Sequence, residues 1–422
     1  MISTKKTMGQ TPLAWAAGDG HEEVVKILLG RDDVDPNRAG RYVSTPLSLA
    51  ACNGHEGTVK LLLGRDDINP DKPDSNDRTP LWFAASSGRA GVVKLLLGRN
   101  DVDPNKPDRN GCTPFWEPAM RGYEEIVKLF LKRDDVSPNK PDRIGRTPLW
   151  EAARQGHEAV VKLLLGRDDV SPDKPGPSGT TPLWKAARAG HEETVKWLLG
   201  RGDVNPNKPG YGDGDDRAPL WWAARNGHEG VVKLLLERDD LNPDRPDRFG
   251  RTPLYEAARE GHKEIVKLFL QRNDVSPDKL DHHLRTPLWW AAKRGHEEVV
   301  ELLLKQDDVT PDKPDQSGRT PLLEAAAKGR EPVVKLLLGR ADVNPDKQDL
   351  SGRTPLLEAA AKGREPVVRL LLGRDDVTPD KPDKDGQRPL TSAAHNGHEG
   401  VVKLLLEREE VGPNKPNLDD KT

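Results

Sequence analysis

The chain has 422 residues, with 66 basic and 69 acidic side chains and a formal net charge of -3. A length of this order favours two or three domains, and the balance of charge gives no global field that would attract nucleic acid or a membrane surface. The two cysteines offer no disulfide framework, and neither a secretory signal nor a run of about 18 apolar residues occurs. We therefore expect an intracellular protein, with the cytoplasm as its compartment.

One stretch of sequence recurs twelve times. Residues 147–166 read TPLWEAARQGHEAVVKLLLG, and the positions equivalent to 147 are 11, 45, 79, 113, 147, 181, 218, 252, 286, 320, 354 and 388. Every interval is 34 residues except the one from 181 to 218, which is 37 because of a three-residue insertion in 210–216. Fixed self-similarity at this length is typical of a stacked repeat array. We therefore predict a single domain over 1–422 that contains twelve copies, numbered one to twelve.

Each copy predicts two helices and a loop, as copy five illustrates. Thr147 is a residue type that caps a helix start, and Pro148 suits the first helical position, where its missing N–H costs nothing. Gly156 permits the left-handed backbone that ends this first helix, and a second helix begins near His157. The remaining wording, GRDDVSPDKPD, carries proline and aspartate at short intervals and predicts a polar loop, here called the finger. The two helices would bury Leu149, Ala152, Ala153, Val160, Val161, Leu163, Leu164 and Leu165.

The pattern T-P-L-x-x-A-A-x-x-G-H-x-x-V-V-x-L-L-L followed by D-V-N resembles the ankyrin repeat across essentially the whole chain. The sequence departs from that pattern in its period of 34 rather than 33 residues. It also has tryptophan where histidine usually follows Thr-Pro-Leu (Trp82, Trp150, Trp184 and Trp289), and a glycine displaced to just after the leucines. The resemblance implies an all-α solenoid of twelve helix-turn-helix units with extended finger loops. It also implies that the first helices and the fingertips line a concave groove that binds proteins.

The histidines of the Gly-His pairs invite a catalytic or metal-binding interpretation. Their regularity argues against catalysis, because a catalytic centre is needed once, and the resemblance implies hydrogen bonds between neighbouring loops instead. A zinc-binding helix would need a second histidine four residues later, where Val161 stands in copy five. We predict no catalytic residue, no metal and no cofactor. The residues concerned are His21, His55, His157, His191, His228, His262, His296 and His398.

Several irregularities interrupt the pattern. Pro118 lies inside the first helix of copy four, where it predicts a kinked or shortened helix, and Ala218 and Arg388 replace the threonine cap of copies seven and twelve. The insertion GYGDGDD could form an anion-binding nest or a calcium loop. Its aspartates would repel phosphate, and Ala224 stands where an EF-hand needs glutamate, so a solvated loop is expected.

Copies seven to nine are the most differentiated and predict the partner-binding site. Three residues after the copy start, copies three to nine all carry an aromatic side chain, which favours a semi-buried structural role or, alternatively, a stacking platform for a ligand. The next position carries charge in six of the twelve copies, which predicts a solvent-exposed environment, yet copies seven and nine place tryptophan there, either as an interaction hot spot or as a cover for a neighbouring copy. With no acid beside these rings, the nearby cations are expected to be unpaired or to make cation–π contacts. The candidate partner-binding residues are Tyr211, Trp222, Arg225, Arg248, Phe249, Arg259, His282, His283, Trp290, Lys293 and Arg294.

These features predict a noncatalytic protein–protein interaction scaffold whose partner is a protein or peptide of acidic or apolar character. The GRDDVNPDKPD wording is similar to that of long fungal ankyrin arrays that end larger receptor-like proteins, which implies a recognition arm. Copies one and twelve keep the apolar pattern of interior copies, so we expect either a larger protein or ends covered by partners or by self-association. The alternatives are a self-assembling structural rod and an enzyme or small-molecule binder that uses the aromatic, basic groove.

Overall fold

The computed structural model describes residues 10–40, 44–212 and 214–413. Those residues contain twenty-four α-helices and one short 3-10 turn, and no strand occurs among them. Two compact units divide at residue 214, inside the predicted insertion, so that copies one to six form the first unit and copies seven to twelve the second. The all-α fold with twelve helix pairs is therefore confirmed, whereas a single domain over 1–422 stays a prediction.

The first unit holds helices α1–α12. They are α1 (Pro12–Gly18), α2 (Glu22–Leu29), α3 (Pro46–Asn53), α4 (Glu56–Leu63), α5 (Pro80–Ser86), α6 (Ala90–Leu97), α7 (Trp116–Arg121), α8 (Glu124–Leu131), α9 (Pro148–Gln155), α10 (Glu158–Leu165), α11 (Pro182–Ala189) and α12 (Glu192–Leu199). The second unit holds α13 (Pro219–Asn226), α14 (Glu229–Leu236), α15 (Pro253–Glu260), α16 (Lys263–Leu270), α17 (Pro287–Arg294), α18 (Glu297–Leu304), α19 (Pro321–Lys328), α20 (Glu331–Leu338), α21 (Pro355–Ala361), α22 (Glu365–Leu372), α23 (Pro389–His395) and α24 (Glu399–Leu406). Odd-numbered helices are the first helices of their copies.

The predicted start and stop signals act as expected in copy five. The hydroxyl of Thr147 accepts a hydrogen bond of 3.1 Å from the backbone N–H of Trp150, and Pro148 is the first residue of α9. Gly156 ends α9 at φ 76°, a conformation that favours glycine. The second helix follows after His157. Copy twelve shows the predicted exception, because α23 begins after Arg388 without a side-chain cap.

Pro118 shortens the first helix of copy four, as predicted. Helix α7 has six residues and begins only at Trp116, so that Pro118 is its third residue and lies where a backbone N–H has no helical partner. Because the helix starts late, the backbone N–H of Trp116 donates to the carbonyl of Thr113 at 3.0 Å. The hydroxyl of Thr113 is buried and has no hydrogen-bond partner. The equivalent threonine hydroxyls of the neighbouring copies, Thr79 and Thr147, cap their helices.

Within each unit, first helices pack against first helices of the neighbouring copies and second helices against second helices. Most of the apolar face predicted from copy five is buried there: Ala152, Ala153, Val161 and Leu164 are fully excluded from solvent, whereas Leu163 is only half-buried. Each copy therefore buries its apolar stripe against its neighbours, as expected of a stacked array.

The repeated GRDD wording joins each copy to the one before it. In copy four, Arg133 donates from Nη1 to the carbonyl of Leu97, the last residue of α6, at 3.1 Å, and Asp135 holds the same guanidinium at 2.9 and 2.6 Å. The last carbonyls of a helix lack intrahelical partners, and a cation there is favourable. The histidine position makes a second link, since His157 Nε2 lies 2.9 Å from the carbonyl of Met120. Where arginine replaces histidine the link survives: Arg89 donates to the carbonyl of Cys52 at 3.0 Å.

The fingers end in a four-residue turn, here called the fingertip, which is 142–145 in the finger that leads into copy five. In the finger that leads into copy five, Asp142 accepts hydrogen bonds from the backbone N–H groups of Ile144 and Arg146 at 3.1 and 2.8 Å. The backbone N–H of Arg143 donates to the carbonyl of Asn110 on the preceding fingertip at 2.8 Å. Bonds of this kind join other neighbouring fingertips as well, for example from Arg109 to the carbonyl of Asn76, but Pro177 has no N–H to donate at the equivalent position of the next fingertip.

Candidate functional site

Exposed side chains of two adjacent fingertips in the second unit form an accessible part of the predicted site. Arg248, Phe249, His282, His283 and the unpredicted Leu284 lie there, and Phe249 and Leu284 expose 36% and 45% of their surfaces. The two tips are joined by a hydrogen bond of 2.9 Å from the N–H of His282 to the carbonyl of Phe249. These five residues, the fingertip surface, combine apolar side chains with basic or titratable ones.

Leu284 has a backbone conformation that its residue type disfavours. Its φ is 60°, whereas the equivalent residues of three other tips in this unit are Gly250, Gly318 and Gly352, with φ between 79° and 83°. A side chain in the left-handed region costs roughly 1–2 kcal/mol. The sequence analysis missed Leu284, although the leucine that replaces a repeated glycine could have identified it.

The helix beneath these tips carries Trp290, which is half-buried. Its ring lies 4.8 Å from the guanidinium of Arg259 and 5.0 Å from that of Arg285, so the predicted cation–π contacts are present. Its indole N–H donates to the hydroxyl of Tyr255. Tyr255 in turn donates to Asp281 at 2.6 Å. The ring of Trp290 is therefore held in place by residues of copies eight and nine.

Trp222 differs from Trp290 because it is buried, with only 6% of its surface exposed. It packs edge-on against Trp221 with ring centroids 5.0 Å apart, and Arg217 lies 5.1 Å from its centroid. Of the two interpretations made for this position, the local cover describes Trp222. Its accessibility does not support the hot-spot interpretation.

The expectation of a solvent-exposed environment at this position is wrong. Glu151 and Glu256 are completely buried, and Glu324 and Glu358 expose only 4% each. Arginines surround the buried carboxylate of Glu256, and Arg259, among others, approaches it at 3.2 Å. Variation between glutamate and tryptophan therefore reflects two ways of filling a buried space, rather than contact with water.

The predicted cations are also paired, contrary to one of the two expectations. Arg225 reaches Glu256 at 3.4 Å, Lys293 reaches Glu324 at 3.2 Å and Arg294 reaches Glu260 at 2.9 Å. Each acid lies on a neighbouring copy, where sequence spacing within one helix could not reveal it. The other expectation holds as well, since Lys293 and Arg294 lie 5.4 and 5.8 Å from the ring of Trp290, and Arg225 lies 6.0 Å from that of Trp222.

Burial and hydrogen bonding shift two pKa values in this network. Burial raises the pKa of Tyr255 well above its ordinary value, and its hydrogen bond to Asp281 acts in the same direction. Burial opposes ionisation of Asp281, but hydrogen bonds from Arg285 and Tyr255 outweigh it and lower the pKa of that carboxyl. The tyrosine is therefore a neutral donor and the aspartate a charged acceptor, which fixes the direction of the hydrogen bond between them.

The aromatic residue three positions after the copy start has the structural role that the sequence favoured. The rings of Trp184, Trp221 and Trp289 are buried. The indole N–H groups of Trp221 and Trp289 donate to the carbonyls of Arg251 and Arg319, thirty residues later, at 3.2 and 3.0 Å. These buried rings are joined to the next copy and offer no open stacking face.

Tyr211 belongs to the first unit, apart from the other predicted residues. It exposes 58% of its surface, and its backbone N–H donates to the carbonyl of Ser178 at 2.7 Å. In the second unit, Arg248 contacts Asp215 at 3.0 Å and Arg245 contacts Asp216 at 3.5 Å. These carboxylates pair with arginines and Asp215 is buried, whereas the sequence predicted a solvated loop. Asp213, the remaining acid of the insertion, lies outside the described residues.

Within residues 10–40, 44–212 and 214–413, no group of three or more histidine, cysteine, aspartate or glutamate side chains has an arrangement that would hold a metal ion. In the same part of the chain, no helix has the length and apolar character that crossing a bilayer requires. The repeated histidines instead bond to backbone carbonyls, as His262 does to Arg225 at 2.9 Å and His296 to Arg259 at 3.0 Å.

Comparison with known proteins agrees with this architecture. The family model for ankyrin repeats, in groups of three copies, matches residues 2–74, 47–142, 92–175, 119–209, 205–281, 273–349 and 340–417. A search of curated proteins gives no match. Proteins built from such repeats generally act as protein–protein interaction modules and are generally noncatalytic. Because the matches together extend from residue 2 to residue 417, the chain belongs to the ankyrin repeat family.

Proposed function

We propose that this protein is a noncatalytic interaction scaffold that binds an apolar and acidic segment of a protein partner on its fingertip surface. Phe249 and Leu284 supply exposed apolar area, and Arg248, His282 and His283 surround it with basic or titratable groups. A partner segment with leucine or phenylalanine beside aspartate or glutamate complements this combination. Within a larger intracellular protein, the surface would act as the recognition arm.

The conformation of Leu284 is the observation that carries this proposal. A leucine at φ 60° is strained, and with 45% of its surface exposed it recovers little of that cost by burial in its own chain. Strained residues cluster at sites where a ligand contact gives a reason for the strain. Contact with a partner would cover the exposed side chain.

The predicted helix residues support the surface from beneath. Trp290 and Arg294 are half-buried and lie close enough to solvent to touch a partner. Arg259 and Lys293 lie at 4.8 and 5.4 Å from the ring of Trp290, and we propose that they position it. Trp222 and Arg225 are proposed to act only indirectly, through the packing of copy seven. Tyr211, on the first unit, is proposed as a separate contact.

A selection experiment tests the proposal without knowledge of the partner. Random twelve-residue peptides displayed on phage would be selected on the full chain, and the dissociation constants of the enriched peptides would be measured. We expect enrichment of peptides that combine apolar and acidic residues. The double variant Phe249→Ala, Leu284→Gly should weaken their binding by about tenfold or more, as expected for loss of central contacts.

The matched control is Leu350→Ala, because Leu350 is an even more exposed leucine, at 64%, on the fingertip of copy eleven. It should leave binding unchanged. Equal weakening by the control would indicate a nonspecific apolar attraction and contradict the proposal. So would unchanged binding by the double variant, or enrichment of basic peptides in place of acidic ones.

A further inference from the structure

One fingertip of the first unit lacks an ion pair that the other buried fingertips have. In those fingertips the first residue is an aspartate whose carboxylate lies 2.6 to 3.8 Å from a guanidinium group; the residues are Asp74, Asp142, Asp247, Asp281, Asp349 and Asp383. Asp108 is buried to a similar degree, with 8% of its surface exposed. Among the described residues, no cationic group forms an ion pair with it.

The cause is a single substitution in the repeat. Four residues after Asp108 stands Cys112, where the adjacent copies have Arg78 and Arg146. The turn itself is normal, since Asp108 Oδ1 accepts from the N–H groups of Asn110 and Cys112 at 2.9 Å each. Burial, together with the carboxylates of Asp108 and its neighbours, raises the pKa of the Cys112 thiol to about 12, so the thiol is neutral. Only the guanidinium is missing.

A cavity of about 690 Å³ lies at this place, between the fingertips and first helices of copies three to five. Its lining includes Asp108, Cys112, Trp82, Trp116 and the exposed Ile144. Four arginines and two further acids also line it: Arg78, Arg109, Arg143, Arg146, Glu117 and Asp142. This volume falls in the range of ligand pockets, roughly 300–1,000 Å³. The cavity thus combines a buried carboxylate that has no ion-pair partner with two aromatic rings.

The rings are suited to guanidinium groups. Arg78 lies 5.1 Å from the ring of Trp82, and Arg146 lies 5.0 Å from that of Trp116. Both arginines are held by their own aspartates at 2.6 and 2.7 Å, which offsets their charge. The indole N–H of Trp82 is buried and has no partner, whereas that of Trp116 donates to the carbonyl of Arg146 at 3.1 Å.

We propose that this cavity binds the guanidinium group of an arginine side chain on a polypeptide partner, with Asp108 as its counter-ion. The planar guanidinium can pair with a carboxylate through two hydrogen bonds and stack on an aromatic ring, which an ammonium group cannot do. Ile144 contacts an apolar neighbour of the arginine. The site lies within the first unit and shares no residue with the fingertip surface, so it stands or fails independently.

The test uses the full chain and a capped five-residue peptide with a central arginine between two leucines. Binding would be measured by calorimetry, with the corresponding lysine peptide and free arginine as comparisons. The arginine peptide should bind at least several-fold more tightly than either. Asp108→Asn keeps a side-chain oxygen that can accept the hydrogen bonds from the backbone N–H groups but removes the charge. It should weaken binding of the arginine peptide by about tenfold or more. Equal binding of arginine and lysine peptides, or no effect of Asp108→Asn, would overturn the proposal.

A second variant tests the same site in the opposite sense. Cys112→Arg restores the repeated arginine, which should pair with Asp108 and fill the cavity from within. We expect this variant to keep the circular dichroism spectrum and thermal midpoint of the wild type or to exceed that midpoint, and to lose peptide binding. Cys112→Ser, which adds no guanidinium, is the control and should still bind. Undiminished peptide binding by Cys112→Arg would refute the assignment. Binding of free arginine as tight as that of the peptide would also refute it, because the ligand would then be the free amino acid and not a polypeptide.

Discussion

Glu256 and Glu358 occupy equivalent positions in copies eight and eleven, yet we predict that their replacement by glutamine has different effects. Burial raises the pKa of Glu256 and outweighs the opposing effect of three nearby guanidinium groups. Burial also opposes ionisation of Glu358, but Arg319 and Arg353 together outweigh it and lower the pKa of that carboxyl. The charge of Glu358 therefore stabilises the fold at neutral pH, whereas the charge of Glu256 does not.

The contacts of Glu358 set the size of the effect. Its Oε1 accepts hydrogen bonds from Arg319 at 3.2 Å and Arg353 at 3.1 Å. A hydrogen bond to a charged group contributes about 1 kcal/mol more than a neutral one. Arg353 is 45% exposed, so solvent screens its share. We expect Glu358→Gln to lower the free energy of unfolding by about 1–2 kcal/mol at pH 7, and Glu256→Gln to lower it by less.

The pH dependence has a definite sign. A carboxyl whose pKa is lowered on folding stabilises the native state above its unfolded value of about 4.3, and this contribution is lost as the pH falls through the folded value. The difference between wild type and Glu358→Gln should therefore disappear in acid. For Glu256, with a raised pKa, the native state binds the proton more readily than the unfolded state, so wild type gains stability relative to Glu256→Gln as the pH falls through the folded value towards the unfolded value of about 4.3.

Urea unfolding followed by circular dichroism at a series of pH values from 7 to 2 measures these differences. The two substitutions have the same chemistry and the same position in the repeat, so each serves as the control of the other. The reasoning is refuted if Glu256→Gln is as destabilising as Glu358→Gln at pH 7. It is equally refuted if the deficit of Glu358→Gln is independent of pH.

Three further predictions concern stability. Pro118→Ala should let α7 begin earlier and return the hydroxyl of Thr113 to its capping role, which raises the free energy of unfolding by about 1 kcal/mol; a destabilised variant would contradict the account of the short helix. In urea titrations Thr147→Ala should cost about 1 kcal/mol and Ala218→Thr should gain about as much, and the opposite order would show that capping does not decide these positions. Burial lowers the pKa of His296, so stability should decline as the pH falls below about 6.5; thermal midpoints of His296→Gln should show a weaker decline than wild type, and an identical decline would rule this residue out.

The repeat period made the fold predictable because each local signal occurs many times with the same meaning. Thr147, Pro148 and Gly156 each act through neighbours close in sequence, and their roles follow from helix capping alone. Pro118 was predictable for the same reason. The extent of a single domain over 1–422 stays a prediction, and so does the binding role of the candidate site.

The exposure of the candidate site was mispredicted because burial depends on neighbouring copies. Glutamate at position 256 suggested contact with water, but Arg225, thirty-one residues earlier, comes to its carboxylate from the adjacent copy. Such contacts have no signature within one helix. Leu284 and Cys112 did carry a signal, namely a departure from the residue that the other copies repeat, and only the structure showed that one is strained and the other leaves a buried carboxylate without its arginine.

The links between copies join nearest neighbours, as the hydrogen bond from Arg340 to the carbonyl of Leu304 and that from Arg374 to Leu338 show. The wording TPLLEAAAKGREPVV at 320–334 and again at 354–368 is identical. Removal of 34 residues between matching points of these two segments would leave every remaining arginine opposite a suitable carbonyl. Genes of this kind can therefore change length by whole modules through unequal recombination and still encode a protein that folds.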